Sequence, residues 1–90
     1  MKNNYLIKVF GKVQGVGYRI WCQKVANELK LYGSVRNCND STVEIRISAN
    51  EEEKDKLLER CYIGTPFCVV KKIEVLNDEK KIYKKFNILR

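Results

Sequence analysis

The feature that most constrains this chain is a change of hydrophobic period across a glycine-rich junction. Before it, Tyr5 to Val13 alternates, with Tyr5, Ile7 and Val9 on one face and Leu6, Lys8 and Phe10 on the other, the period-two signature of a strand covered on one side. After it, Cys22, Val25, Ala26 and Leu29 recur at i, i+3, i+4 and i+7 with polar residues between them, which predicts an amphipathic helix over about 18–31. Between the two lies Gly11-Lys12-Val13-Gln14-Gly15-Val16-Gly17-Tyr18-Arg19. A strand must therefore turn sharply into a helix there, and glycines at 11, 15 and 17 permit the backbone conformations that such a turn requires.

The remaining pattern completes an order of elements. Gly33 is the expected helix stop. Ser34 to Asn37 and Thr42 to Ala49 flank an Asn39-Asp40-Ser41 turn and read as a hairpin, with Val43, Ile45 and Ile47 inward and Glu44, Arg46 and Ser48 outward. Asn50-Glu51-Glu52-Glu53 is a capping box that starts a second helix over 51–62. The apolar side of that helix is thin, with Leu57, Leu58, Cys61 and Tyr62, and Gly64-Thr65-Pro66 ends it. Cys68 to Leu76 and Ile82 to Leu89 then read as strands joined through Asn77-Asp78-Glu79-Lys80. Strand, helix, hairpin, helix, strand and a final extra strand predict a ferredoxin-like α+β sandwich, two helices on one face of an antiparallel sheet. With 90 residues and 44% hydrophobic content, the chain suits one domain, 1–90, and not two cores.

Composition narrows the function classes. No apolar run approaches the roughly 18–20 residues of a membrane span, and the N-terminus has no signal-peptide core, so the expected location is the cytoplasm with no membrane partner. The four cysteines contain no C-x-x-C pair and histidine is absent, so no metal site is expected, and reduced, mostly buried thiols are the reading. A net charge of +7 favours encounter with anions, whether phosphorylated metabolites or nucleic acid. Lys71-Lys72 and the lysines at 80, 81, 84 and 85 read as a solvated face. Tyr18, Tyr32 and Tyr62 lie near element ends, where aromatics pack at a core margin with their hydroxyls wet.

The junction can also carry chemistry. Free amides where a strand gives way to a helix converge on an anion at the positive helix end, and Arg19 in the first turn adds a planar fork of donors able to grip two phosphate oxygens. Spacing alone leaves two readings open: an anion cradle, or a plain tight connection beside a solvated arginine.

The junction resembles the signature of the acylphosphatase family: glycine, arginine or lysine, valine, glutamine, glycine, valine, any residue, phenylalanine or tyrosine, arginine. Gly11, Lys12, Val13, Gln14, Gly15, Val16, Tyr18 and Arg19 match every defining position. A second family pattern, glycine and a short strand ending in asparagine before a hairpin, resembles Gly33-Ser34-Val35-Arg36-Asn37 leading through Asp40 to Thr42-Val43-Glu44. The resemblance implies hydrolysis of the carboxyl-phosphate bond of acyl phosphates, with Arg19 and Asn37 catalytic and the amides around Gly15, Val16, Gly17 and Tyr18 cradling the phosphate together with Arg19. It implies no metal or organic cofactor and an acyl phosphate as substrate; inorganic phosphate as an alternative occupant of the loop, and a monomer, are further expectations. Two departures stand out: Ser41 where the family has glycine, which costs strain if that position has a positive φ, and Ser34 where it commonly has tryptophan. The competing reading is an inactive anion- or nucleic-acid-binding module on the same fold; no aromatic RNA-binding signature marks a central strand, which counts against nucleic acid.

Overall fold

The computed structural model describes all 90 residues. The elements are β1 (Asn3–Lys12), α1 (Tyr18–Glu28), β2 (Tyr32–Asn37), β3 (Val43–Ala49), α2 (Glu51–Ile63), β4 (Val69–Asn77) and β5 (Phe86–Ile88). They form one sheet in the order β4-β1-β3-β2-β5. β1 pairs antiparallel with both β3 and β4, and β2 antiparallel with β3. Both helices lie on one face, α1 against β2 and β5, α2 against β3 and β4. This is the expected ferredoxin-like sandwich.

The period-two pattern of β1 and β3 becomes the core directly: Ile7, Val9, Val43, Ile45 and Ile47 are all fully buried beneath the helices. α1 adds Tyr18, Cys22, Val25 and Ala26, whereas α2 buries only Leu57 and Cys61 completely. With so thin an apolar stripe, α2 depends heavily on its ends. Asn50 accepts from the Glu53 amide at 2.8 Å and Glu53 accepts from the Asn50 amide at 2.9 Å, so the capping box forms as expected, with three acids at the positive helix end. Tyr62, at the end of α2 and at the edge of that stripe, is 55% exposed.

Other expectations are corrected. α1 ends at Glu28, not 31, and Gly33 does not stop it. The stop is a Schellman turn in which Lys30 takes the left-handed φ of 57° while the Leu31 amide donates to the Ala26 carbonyl and the Lys30 amide to that of Asn27. The buried Leu31 side chain holds that turn against the core. Gly33 lies inside β2, paired with Ile47.

The last strand is shorter than the expected Ile82–Leu89 and runs parallel to β2, so the sheet is mixed. The reason is geometric. β4 and β5 occupy opposite edges, so residues 78–85 must cross four strand spacings, roughly 19 Å, out of a maximum reach of about 28 Å. Little chain remains for pairing.

Glu44 and Arg46 face away from the helices as expected, yet Glu44 is only 9% exposed. Arg36 approaches it at 3.0 Å and Arg46 at 3.3 Å, and Arg46 continues to Asp78 at 2.7 Å. A chain of paired charges thus cladds the open face of the sheet.

Ser41 adopts φ 71°, so the strain anticipated from its replacing glycine is present. The left-handed conformation costs a non-glycine residue about 1–2 kcal/mol, while glycine returns about 0.4–1 kcal/mol of that through unfolded-state entropy. Ser41→Gly should therefore raise stability by a net ~0.5–1 kcal/mol, seen as a higher urea midpoint; an unchanged or lower midpoint would show that the serine hydroxyl offsets the strain.

Candidate active site

The two helix N-termini of this protein are treated in opposite ways. That of α2 is capped by Asn50 and surrounded by acids. That of α1 begins at Gly17 in a left-handed conformation with φ 76°, has no side-chain cap and no acid in its first turn. The first amides of α1 have no partner within the helix, and the positive helix end is reinforced by Arg19 instead of being neutralised. Gly15, with φ 73°, turns the preceding backbone towards the same point. A Cβ would meet open space at both Gly15 and Gly17, so these glycines serve the backbone conformation and not close packing.

A cavity of about 100 Å³ at this point is bordered by Gly15, Gly17, Tyr18, Arg19 and Asn37. That is the volume of roughly three waters, suited to a tetrahedral anion. It opens onto a wider hollow beside Arg19, Ile20, Asn37, Ile88 and Arg90. The fold thus brings together Arg19 and Asn37, 18 positions apart in the sequence.

Each is placed by β2. Asn37 is the last residue of that strand, paired with Val43, and its buried Oδ1 has no hydrogen-bond partner within the chain. An unpaired buried acceptor costs about 1–3 kcal/mol unless a donor from outside the chain reaches it; the Tyr83 hydroxyl, remote from this cavity, is the other such atom. Arg19 donates through Nη1 to the Leu89 carbonyl at 3.2 Å, and the Leu89 amide donates to Val35 of β2 at 2.8 Å. One nitrogen of the guanidinium is thereby tethered, and its other donors remain for a ligand.

Val16 is half-buried, and its carbonyl accepts from the Thr65 hydroxyl at 3.2 Å, so the turn after α2 braces the loop. Tyr18 corrects the expectation of a wet margin: its ring is 1% exposed, its hydroxyl donates to the Cys61 carbonyl at 2.7 Å, and Trp21 packs against it with centroids 5.6 Å apart. Burial first, then the neighbouring cysteines, pushes the phenol far above its usual range. Its side chain is a bolt between α1 and α2, while its backbone remains at the cavity.

Two residues contribute to this arrangement in ways that the sequence does not announce. Thr65 stands there only as part of a turn. Gln14, a defining position of the loop signature with no role of its own assigned from the sequence, donates through Nε2 to the carbonyls of Cys38 and Thr42, both at 2.8 Å. Beside that turn, Lys8 pairs with Asp40 at 2.8 Å, and Lys8 together with the Thr42 hydroxyl and amide holds the Asp40 carboxyl well below the usual carboxylate range. No group of three or more Cys, Asp or Glu side chains is placed to hold a metal ion, and no helix is long and apolar enough to cross a membrane.

Fold and site define a class: a small α+β sandwich with an uncapped helix N-terminus, an arginine and an unpaired asparagine oxygen around an anion-sized cavity. Comparison with known proteins bears on the fold and the family. The acylphosphatase family model matches residues 5–88. The acylphosphatase of Bacillus licheniformis is 43% identical over 86 residues, 93% of this chain and 94% of its own length. That of Clostridium acetobutylicum is 40% identical over 85 residues, 89% of this chain and 93% of its own. The crystal structure of acylphosphatase from Bacillus subtilis superposes with a TM-score of 0.92 at 35% identity, covering all of both chains. The chain belongs to the acylphosphatase family.

Proposed function

We propose that this protein hydrolyses acyl phosphates to carboxylate and inorganic phosphate by water attack at phosphorus, with Arg19 and the loop amides holding the phosphoryl group and Asn37 orienting the water. The observation that carries the assignment of roles is the buried, unpartnered Asn37 Oδ1 beside Arg19 at the uncapped start of α1. Family membership supports the reaction.

The chemistry asks little beyond positioning. A carboxylate is a stable leaving group, so no general acid is required to protonate it. Oδ1 of Asn37 accepts a hydrogen from the water and aligns its lone pair with phosphorus; the amides of Gly15, Val16, Gly17 and Tyr18 and the guanidinium of Arg19 stabilise the equatorial oxygens in the transition state. The P–O bond to the acyl group breaks as the new one forms, and the water proton passes to a phosphate oxygen of the substrate. A carboxamide is a poor base, and this route needs none. The acyl group projects into the wider hollow beside Ile20 and Ile88. We further propose a monomer without resident metal acting in the cytoplasm, a reading that its four free thiols suit.

The test is hydrolysis of acetyl phosphate or benzoyl phosphate with a chelator present. Rapid turnover is expected, and Asn37→Ala should lower kcat by roughly 100-fold, the scale of one preorganised polar group, while inorganic phosphate still inhibits at nearly the original concentration. A folded chain that binds phosphate and turns over neither substrate would instead be an inactive anion-binding module.

A further inference from the structure

We propose that Gln14 is a positioning residue that fixes Asn37 relative to the phosphate loop, by tying the loop to the turn that follows Asn37. The inference rests on the roles given above to the loop and to Asn37.

Gln14 uses both amide hydrogens of one nitrogen, to the Cys38 and Thr42 carbonyls at 2.8 Å each. Those two residues are the ends of the β2–β3 turn, joined to one another by the Cys38 amide donating to the Thr42 carbonyl at 2.9 Å. Cys38 directly follows Asn37, so its peptide sets where the Asn37 side chain begins.

The turn does not need Gln14 to close. Ser41 donates to the Cys38 carbonyl at 3.2 Å, and the Asp40 carboxylate accepts from the amide and the hydroxyl of Thr42. Both carbonyls therefore keep a second partner if Gln14 is removed, and no buried acceptor is stranded. The phosphate loop does not need it either, since Val13 is 1% exposed in the core, Val16 is braced by Thr65 and Tyr18 is bolted to α2 through Cys61. What Gln14 alone supplies is the side-chain tie between two structures that are each complete without it. In-line attack depends on their spacing, and a displacement of the order of 1 Å between reacting groups costs up to about 100-fold in rate.

Gln14→Met keeps the length of the side chain and removes its donors. It should lower kcat on benzoyl phosphate by roughly 10- to 100-fold, with the inhibition constant for inorganic phosphate changed by no more than about twofold. The decisive reading is a double-mutant cycle. In an Asn37→Ala background, Gln14→Met should have little further effect on kcat, because the group it positions is gone. Equal losses in both backgrounds, or a loss that appears in phosphate binding instead, would overturn the inference and leave Gln14 as a general structural residue.

A second readout is independent of turnover, and its first arm needs no variant. In the unmodified chain, both Gln14 Nε2 hydrogens should exchange slowly with solvent by NMR. In folded Gln14→Met, backbone order parameters should fall over 38–42 and hold over 13–18. Fast-exchanging Nε2 hydrogens would refute the tie itself even if the wild-type chain proved inactive, whereas slow exchange in an inactive chain would leave the tie standing and refute the assigned reaction.

Discussion

Arg19→Ala is expected to lower kcat/KM for benzoyl phosphate by 100-fold or more, on the scale of about 10²–10³ for one preorganised donor at a developing charge. The loss should fall on both substrate affinity and kcat, because Arg19 lies in the first turn of the uncapped helix α1 and would hold phosphate oxygens in the ground state and in the transition state. Its tether to the Leu89 carbonyl at 3.2 Å restricts where the guanidinium can sit before substrate arrives, so less side-chain entropy is lost on binding. Arg19→Lys separates charge from geometry. Lysine keeps the positive charge but loses the planar fork, and it should recover only a small part of the activity. If lysine restores most of the rate, the bidentate role is wrong; if alanine costs less than about fivefold, against the scale of a preorganised donor, the backbone amides and the helix end carry the phosphate without Arg19.

The largest expected effect on stability comes from Gly33→Ala. An alanine Cβ there would stand 1.8 Å from the Arg46 carbonyl oxygen and 2.9 Å from the Ile47 Cα, all backbone atoms. No rotamer change relieves that contact; β2 and β3 must separate, and their separation disturbs a ladder running from Tyr32–Ser48 to Asn37–Val43. Overpacking typically costs about 1–3 kcal/mol and more where only backbone can move, against a total of about 5–13 kcal/mol for a domain of this length. A loss of about 3 kcal/mol would lower Tm by roughly 12–24 °C, measurable by circular dichroism. The consequence reaches the site, since Asn37 terminates the same strand and Val35 holds Leu89, the acceptor of Arg19. A Tm within about 3 °C of wild type, less than the shift expected for even one kcal/mol, would mean that the two strands accommodate the methyl group by a small local shift.

A glycine shortly after an amphipathic stretch is a reasonable helix stop, and the true stop uses Lys30, a residue with no local signal for a left-handed φ. The contact of Gly33 with the Arg46 backbone joins positions remote in the sequence. Tyr18 depends on remote packing in the same way: a tyrosine at the start of a helix looks marginal until α2 covers it. Glu44 alternated outward correctly, but its burial depends on Arg36, Arg46 and the Asp78 that follows β4. The final strand is shorter than its alternating run suggests, because such a run says nothing of the distance the chain must cross before pairing.

The sequence by itself determined what is local. The period-two run of β1, the 3.6-residue period of α1, the hairpin centred on Asp40 and the capping box at Asn50 each arise from neighbours within a few residues, where sterics, hydrogen bonding and apolar spacing act without help from the rest of the chain. It also carried the two motifs whose resemblance to a known family singled out Arg19 and Asn37. Only the tertiary structure decided what depends on remote segments meeting: the parallel final strand, the bolt from Tyr18 to Cys61, the tether from Arg19 to Leu89, the tie from Gln14 to Cys38 and Thr42, and the isolation of the Asn37 oxygen. Those contacts join groups 24 to 70 positions apart, and no local propensity encodes them, because their partners become neighbours only when the sheet and helices close on a common core.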